Sequence, residues 1–213
     1  MRQRDTDMKQ KYFIDSHKGA TFFFILAMIA IYHRWDNVAA LVYLAMHGAY
    51  GFLWLLKSRN FGDTQWEQPC DIADGAKIWG ALSMYWIAPW LICSRDIRPS
   101  AVWIGICVFA YAFGVFYHFA ADMQKTYWMR LNRGHLLTEG LWSKLRNPNY
   151  FGELLIYAGF SSLAMHPLPL LALAIFVTLV WLPNMRRKDA SLSRYPEFAA
   201  YRAQSKLFIP WLF

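Results

Sequence analysis

Long stretches of this chain carry no charge, and that feature limits what it can fold into. Apolar runs fall at 19–34, 37–56, 77–94, 100–120, 151–165 and 167–184, with charge only near their ends. About 20 such residues in a helix cross a bilayer, within a range of about 17–25. The pattern predicts an all-α, polytopic integral membrane protein of about six transmembrane helices. The fifth run is short. Only Met165-His166-Pro167-Leu168-Pro169 separates it from the sixth, which predicts a carboxy-terminal helical hairpin. The prolines suit the start of its second arm, where a missing N–H costs nothing. A soluble fold is a poor fit, because 57% of residues are apolar and only 17% are charged.

The formal net charge is +8. A nucleic-acid binder would gather such charge in one patch, whereas a membrane protein places it in alternate loops. Of the 22 Lys and Arg, only Arg34, Arg95 and Arg98 fall in one set of loops. The rest fall in the amino-terminal segment, around 57–77, in 122–150 and in the tail from 185. This split disfavours nucleic acid as a partner. It predicts both termini on the cytoplasmic face of a multi-pass protein, with the lipid bilayer as its solvent. The polar start, Met1 to Lys18, reads as a lead-in to a first membrane helix and not as a cleavable signal. Cys70, Cys93 and Cys107 lack metal-ligand spacing, so no metal is expected. The sequence sets no oligomeric state.

Five groups of residues could carry chemistry. In Arg146-Asn147-Pro148-Asn149-Tyr150-Phe151-Gly152-Glu153, Pro148 fits the first turn of a helix with Asn147 as its cap. Asn149, Glu153 and Tyr157 then share a face, and Glu153 lies inside the apolar helix, where ionisable groups are usually functional or paired. His118, Asp122 and Lys125 share a face near the end of the fourth run, close to Gln124 and Arg130; a solvated helix end is the plainer alternative. Arg186-Arg187-Lys188-Asp189 suits both a charged stop after the last span and a phosphate-bearing ligand. Gln65-Trp66-Glu67-Gln68-Pro69, with Tyr85 beyond it, offers a carboxyl and a phenol that could move protons. Within the second run, Tyr43, His47, Tyr50 and Trp54 form one stripe, either packed core or the lining of a hydrophobic site. No GxGxxG, Walker, HExxH or GxSxG motif is present.

From about residue 117 onward the chain resembles a membrane-enzyme family. That family unites isoprenylcysteine carboxyl methyltransferases, phospholipid methyltransferases, steroid 5α-reductases and sterol C=C reductases. Gly140-Leu141-Trp142, the Arg146 to Glu153 segment, Tyr195-Pro196-Glu197-Phe198, Tyr201 and Phe208-Ile209-Pro210 carry the resemblance. It implies one membrane-embedded domain, with substrate-side helices in 1–116 and a cofactor-binding module in 117–213. Pro148-Asn149-Tyr150 followed by Gly152-Glu153 is similar to the reductase branch. So are Gln124-Lys125, Asp122 and Arg186. The methyltransferase branch carries an acidic pair in the tail, whereas here Asp189 is followed by Ala190. Asn147 stands where His is usual, and Gln65 to Glu67 is one residue longer than the similar reductase element.

The resemblance implies NADPH-dependent reduction of a conjugated C=C bond in a hydrophobic, steroid- or isoprenoid-like small molecule. Glu67 and Tyr85 would assist the carbonyl oxygen as charge builds there. As a proton donor, Glu67 would need burial to raise its pKa. His118, Asp122, Gln124, Lys125, Arg130, Arg146, Asn149, Tyr150, Glu153, Arg186, Asp189 and Tyr195 would hold the cofactor. Tyr43, His47, Tyr50 and Trp54 would line the substrate site. The alternative is an S-adenosylmethionine-dependent methyltransferase acting on a lipid or prenylated substrate. A third reading is a non-enzymatic protein that keeps the fold.

Overall fold

The computed structural model describes residues 8–212. Arg2, Arg4 and Phe213 lie outside the described residues. Helix makes up 76% of the described residues, and none of them is in a strand. Six helical rods follow one another: α1 (Gln10–Ile31), α2 (Val38–Phe61), α3 (72–94), α4 (Ala101–Leu131), α5 (Pro148–Ser162) and α6 (Pro167–Leu192). A short tail helix, α7 (Phe198–Gln204), comes last.

Helices α1, α2, α4 and α6 are long and apolar enough to cross a membrane, as expected of an integral membrane protein. The predicted runs 77–94 and 151–165 are also helical, but neither is an uninterrupted span of that length. A 3-10 turn at Ser83–Trp86 breaks α3. Helix α5 has 15 residues, which rise only about 22 Å against a hydrocarbon core of about 30 Å. Hydropathy also misplaces the start of α1. The helix begins at Gln10, so Lys11, Asp15 and Lys18 are helical. Single π-turns interrupt α2 at Leu44–Gly48 and α6 at Val177–Trp181. Only 22% of the most apolar window of α4 is buried, against 50% for α2. Accordingly Phe109, Phe113 and Phe116 point outward from α4, as lipid-facing side chains do.

The chain divides into two compact units, 1–108 with 159–172 and 109–158 with 173–213. In the first, Asn37 caps α2 by accepting from the Ala40 N–H at 3.0 Å. Its amide nitrogen donates to Asp96 at 2.8 Å and to the Ile97 carbonyl. Arg34 donates to the Cys93 carbonyl at 2.8 Å, and Arg98 pairs with Asp36 at 2.7 Å. These bonds tie the loop after α1 to the loop after α3. At the opposite end, Trp54 and Ser58 of α2 donate to Asp15 of α1. There Lys9 and Lys11 also pair with Glu67, and Lys57 pairs with Asp63 at 2.9 Å.

Each unit contains a glycine-dependent helix crossing at which backbone meets backbone. A Cβ on Gly51 would lie 2.3 Å from the Lys18 carbonyl oxygen, and one on Gly152 would lie 2.3 Å from the His118 nitrogen. Backbone cannot yield as a side-chain tip can. Gly51→Ala and Gly152→Ala are each expected to destabilise by about 1–3 kcal/mol, read as a lower thermal midpoint in detergent. Gly105→Ala, with nothing within 4 Å of the added carbon, leaves the midpoint unchanged or higher.

Candidate functional site

The unit formed by 109–158 and 173–213 gathers most of the buried polar groups singled out above. Its geometry starts from the glycine crossing. Without side chains at Gly114 and Gly152, α4 and α5 approach closely, and His118 reaches the first turn of α5. Its Nδ1 lies 3.2 Å from the Asn149 carbonyl oxygen. One turn further along α4, Asp122 is almost wholly buried. Lys125 Nζ lies 3.3 Å from one of its carboxylate oxygens, and His118 Nε2 lies 4.0 Å from the other. A carboxylate buried beside an ammonium has the paired charge that makes such burial tolerable. The amide oxygen of Asn149 is buried and has no hydrogen-bond partner among the described residues. Along the same face, Glu153 is half-buried and Tyr157 buried. Tyr150 and Tyr157 both approach Trp181, in the π-turn of α6, at 5.5 and 6.2 Å between ring centres.

Beside this face lies a clamp that joins the start of α5 to α6 and the tail. Arg146 is buried. Its Nε donates to Asp189 at 3.0 Å, and another guanidinium nitrogen donates to the Ser205 carbonyl at 2.6 Å and to the Ser205 hydroxyl. Lys188 donates to the Arg146 carbonyl at 2.7 Å and to the Asn147 side-chain oxygen at 2.8 Å, and stands 4.2 Å above the Trp142 ring. The amide nitrogen of Asn147 donates to the Leu207 carbonyl. Asn147 therefore does not cap α5 with its side chain as expected; the lysine ammonium is the stronger partner for its oxygen. The Tyr201 hydroxyl donates to the Trp142 carbonyl. Burial pushes the Tyr201 pKa up, so the phenol keeps its proton.

The other predicted residues sort by what they touch. Gln124 spends its amide on the Glu139 carbonyl and the Leu141 N–H, holding the turn at Gly140. That gives it a loop-supporting role. Arg146 is likewise occupied, by Asp189 and Ser205, whereas the second carboxylate oxygen of Asp189 is buried without a hydrogen-bond partner among the described residues. Arg130 and Arg186 are exposed, and Tyr195 packs against Leu136, Phe198 and Tyr201. In the unit formed by 1–108 and 159–172, the α2 stripe is buried. The Tyr43 hydroxyl lies 2.9 Å from His47 Nδ1, and the His47 ring stacks on Phe160 at 4.1 Å. Lys18 sits over Tyr50 and Trp54. Tyr85 is buried in the 3-10 turn of α3.

Glu67 differs from the expectation. Its side chain is 42% exposed and paired with Lys11 and Lys9. Hydrogen bonds from Lys11 and then Lys9 hold its carboxyl below the usual range. It is ionised at neutral pH, the reverse of what a carboxyl proton donor requires.

Ser205 escaped the sequence reading, which took Lys188 only as a member of the Arg186–Asp189 cluster. Lys188 was readable as part of one basic cluster with Arg186 and Arg187. Helical spacing from the buried Met185 places Lys188 and Asp189 on the inward face and Arg186 and Arg187 outward.

Arg146→Met leaves Asp189, whose side chain is only 13% exposed, without its cation. It is expected to cost about 3–5 kcal/mol and to open the tail to trypsin at Arg202 and Lys206. Limited proteolysis beside a thermal melt reads both effects. A variant as resistant as the parent would contradict the clamp.

None of the curated proteins matches the chain. The family described as Protein of unknown function (DUF1295) matches residues 78–204, more than half of the chain and nearly all of the polar face and clamp. That family includes steroid 5α-reductase-like membrane proteins. The chain therefore belongs to the DUF1295 family of membrane proteins.

Proposed function

We propose that this protein is a membrane-embedded oxidoreductase that uses NADPH to reduce a conjugated C=C bond in a hydrophobic, steroid- or isoprenoid-like substrate. The observation that carries the reading is the buried His118–Asp122–Lys125 ladder set against Asn149, whose amide oxygen lacks a partner. A buried polar atom left unsatisfied costs free energy that a ligand can recover. The donor set also suits a dinucleotide. Asn149 and Asp122 can accept from amide and hydroxyl groups. The carboxy-terminal parts of α4 and α6 meet the start of α5 through His118 and Lys188, which brings Lys125, Arg130 and Arg186 to that end as phosphate partners. Glu153 and Tyr150 complete the face.

NADPH, when bound, supplies the hydride. The protein's own part is to orient, to exclude water and to meet the charge that develops on the substrate carbonyl oxygen. The aromatic α2 stripe of Tyr43, His47, Tyr50 and Trp54 supplies a dry wall for a flat apolar molecule. Tyr85, a buried phenol, takes the donor role that the ionised Glu67 cannot fill. The reading includes six membrane crossings, with α3 and α5 as the two short ones, and both termini in the cytoplasm. The distribution of Lys and Arg supports that orientation.

Cofactor binding by the protein purified in detergent tests the reading, with NADPH, NADH and S-adenosylmethionine side by side in a thermal melt. At a hundred times its dissociation constant, NADPH is expected to stabilise the fold by about 2.7 kcal/mol, and Asn149→Ala to lose most of that gain. Stabilisation by S-adenosylmethionine alone would overturn the reading in favour of methyl transfer.

A further inference from the structure

Beyond α7 the tail ends in two side chains that pack on almost nothing. Trp211 is 90% exposed and Leu212 is 78% exposed. Side by side they put apolar area into water that burial elsewhere would recover. Phe208, three residues earlier, is buried, so the exposure begins where the tail leaves the protein.

Hydrogen bonds fix where that happens. The Lys206 N–H donates to the Lys144 carbonyl at 2.9 Å, the Arg146 N–H donates to the Lys206 carbonyl at 2.8 Å, and Asn147 holds the Leu207 carbonyl. These bonds lay 206–207 along 144–147, directly before α5. The same end of α5 meets α4 through His118 and α6 through Lys188. Both α4 and α6 are long and apolar enough to cross a membrane. The tail is therefore fastened at one end of a group of membrane helices. Trp211 lies four residues past Leu207, at most about 14 Å of chain. The headgroup layer is about 5–8 Å thick on each side of the hydrocarbon core, and tryptophan favours that layer.

Charge identifies the lipid. Lys144, Arg202 and Lys206 flank the fastened segment, and all three are exposed. None has a carboxylate partner among the described residues. From Phe198 to Leu212 the chain has no Asp or Glu. Cations without counter-charge beside an apolar tip suit an anionic membrane surface.

We propose that Trp211 and Leu212 insert among the headgroups of acidic phospholipids, with Lys144, Arg202 and Lys206 paired to the negative charge of those lipids. The tail then joins the start of α5 to the membrane surface as well as to α6. This contact is independent of the reductase reading.

The full chain, labelled with 5-fluorotryptophan, is reconstituted into vesicles of phosphatidylcholine, with or without phosphatidylglycerol. The fluorine resonance missing from Trp211→Phe is that of Trp211. A nitroxide on the lipid acyl chain and a water-soluble nickel chelate report what the ring faces. In the mixed vesicles the Trp211 resonance is expected to broaden with the nitroxide and not with the chelate. Lys144→Gln, Arg202→Gln and Lys206→Gln leave the backbone bonds in place. Together they are expected to shift the ring toward water by about fivefold per charge removed. Omitting phosphatidylglycerol is expected to act in the same direction. Broadening by the chelate in both kinds of vesicle overturns the proposal. So does lipid contact that ignores both phosphatidylglycerol and the three substitutions. Shielding from both reagents, the mark of a second copy or another protein seated on the tip, overturns it as well. Should the triple variant not fold, the two kinds of vesicle still decide the matter with the parent chain.

Discussion

A polar or charged group taken out of reach of water must find its partner within the protein. Arg146 is where this constraint acts most strongly. Its guanidinium is buried against Asp189 and the Ser205 carbonyl, and Lys188 bonds its carbonyl and the neighbouring Asn147 side chain. Together these bonds fix the start of α5 against α6 and the tail. Without them, Asn149 and Glu153 would project from a helix whose first turn was free to fray. A buried ion pair is often no more stabilising than a packed apolar pair, yet removing one partner is costly. Its value here is positional. It holds the first turn of α5 where His118 can reach the Asn149 carbonyl.

Much of this arrangement was legible in the sequence, for physical reasons. Hydropathy finds helices that face lipid, because lipid rewards apolar side chains on every exposed face; all six apolar runs are helical. The i, i+4, i+7 spacing placed His118, Asp122 and Lys125 on one face, and the structure puts them in contact. What escaped was set by partners distant in sequence. Nothing near Asn147 indicates that Lys188 and Leu207 will claim its side chain. The 3-10 turn in α3 and the π-turn at His47 leave no compositional trace. Glu67 shows the opposite failure. Its chemistry was read from residue type, whereas its ionisation is decided by Lys9 and Lys11 at the start of α1, a segment that hydropathy alone leaves outside the helix.

The two units carry different kinds of unsatisfied polarity. In the unit formed by 109–158 and 173–213, the unpartnered buried atoms among the described residues include two acceptors, the Asn149 amide oxygen and one Asp189 carboxylate oxygen, and the Tyr111 hydroxyl. In the unit formed by 1–108 and 159–172, they are the ring nitrogens of His17, which stands among aromatic rings.

The most direct measurement follows the transferred atom. Membranes containing the protein are incubated with androst-4-en-3-one and NADPH deuterated at the reactive face of nicotinamide C4, and the steroid is weighed by mass spectrometry. The account predicts a saturated steroid carrying one deuterium from the cofactor, absent in membranes with Asn149→Ala. Unlabelled steroid from the NADPH incubation, together with a lipid that gains a methyl group when S-adenosylmethionine is supplied instead, would contradict it.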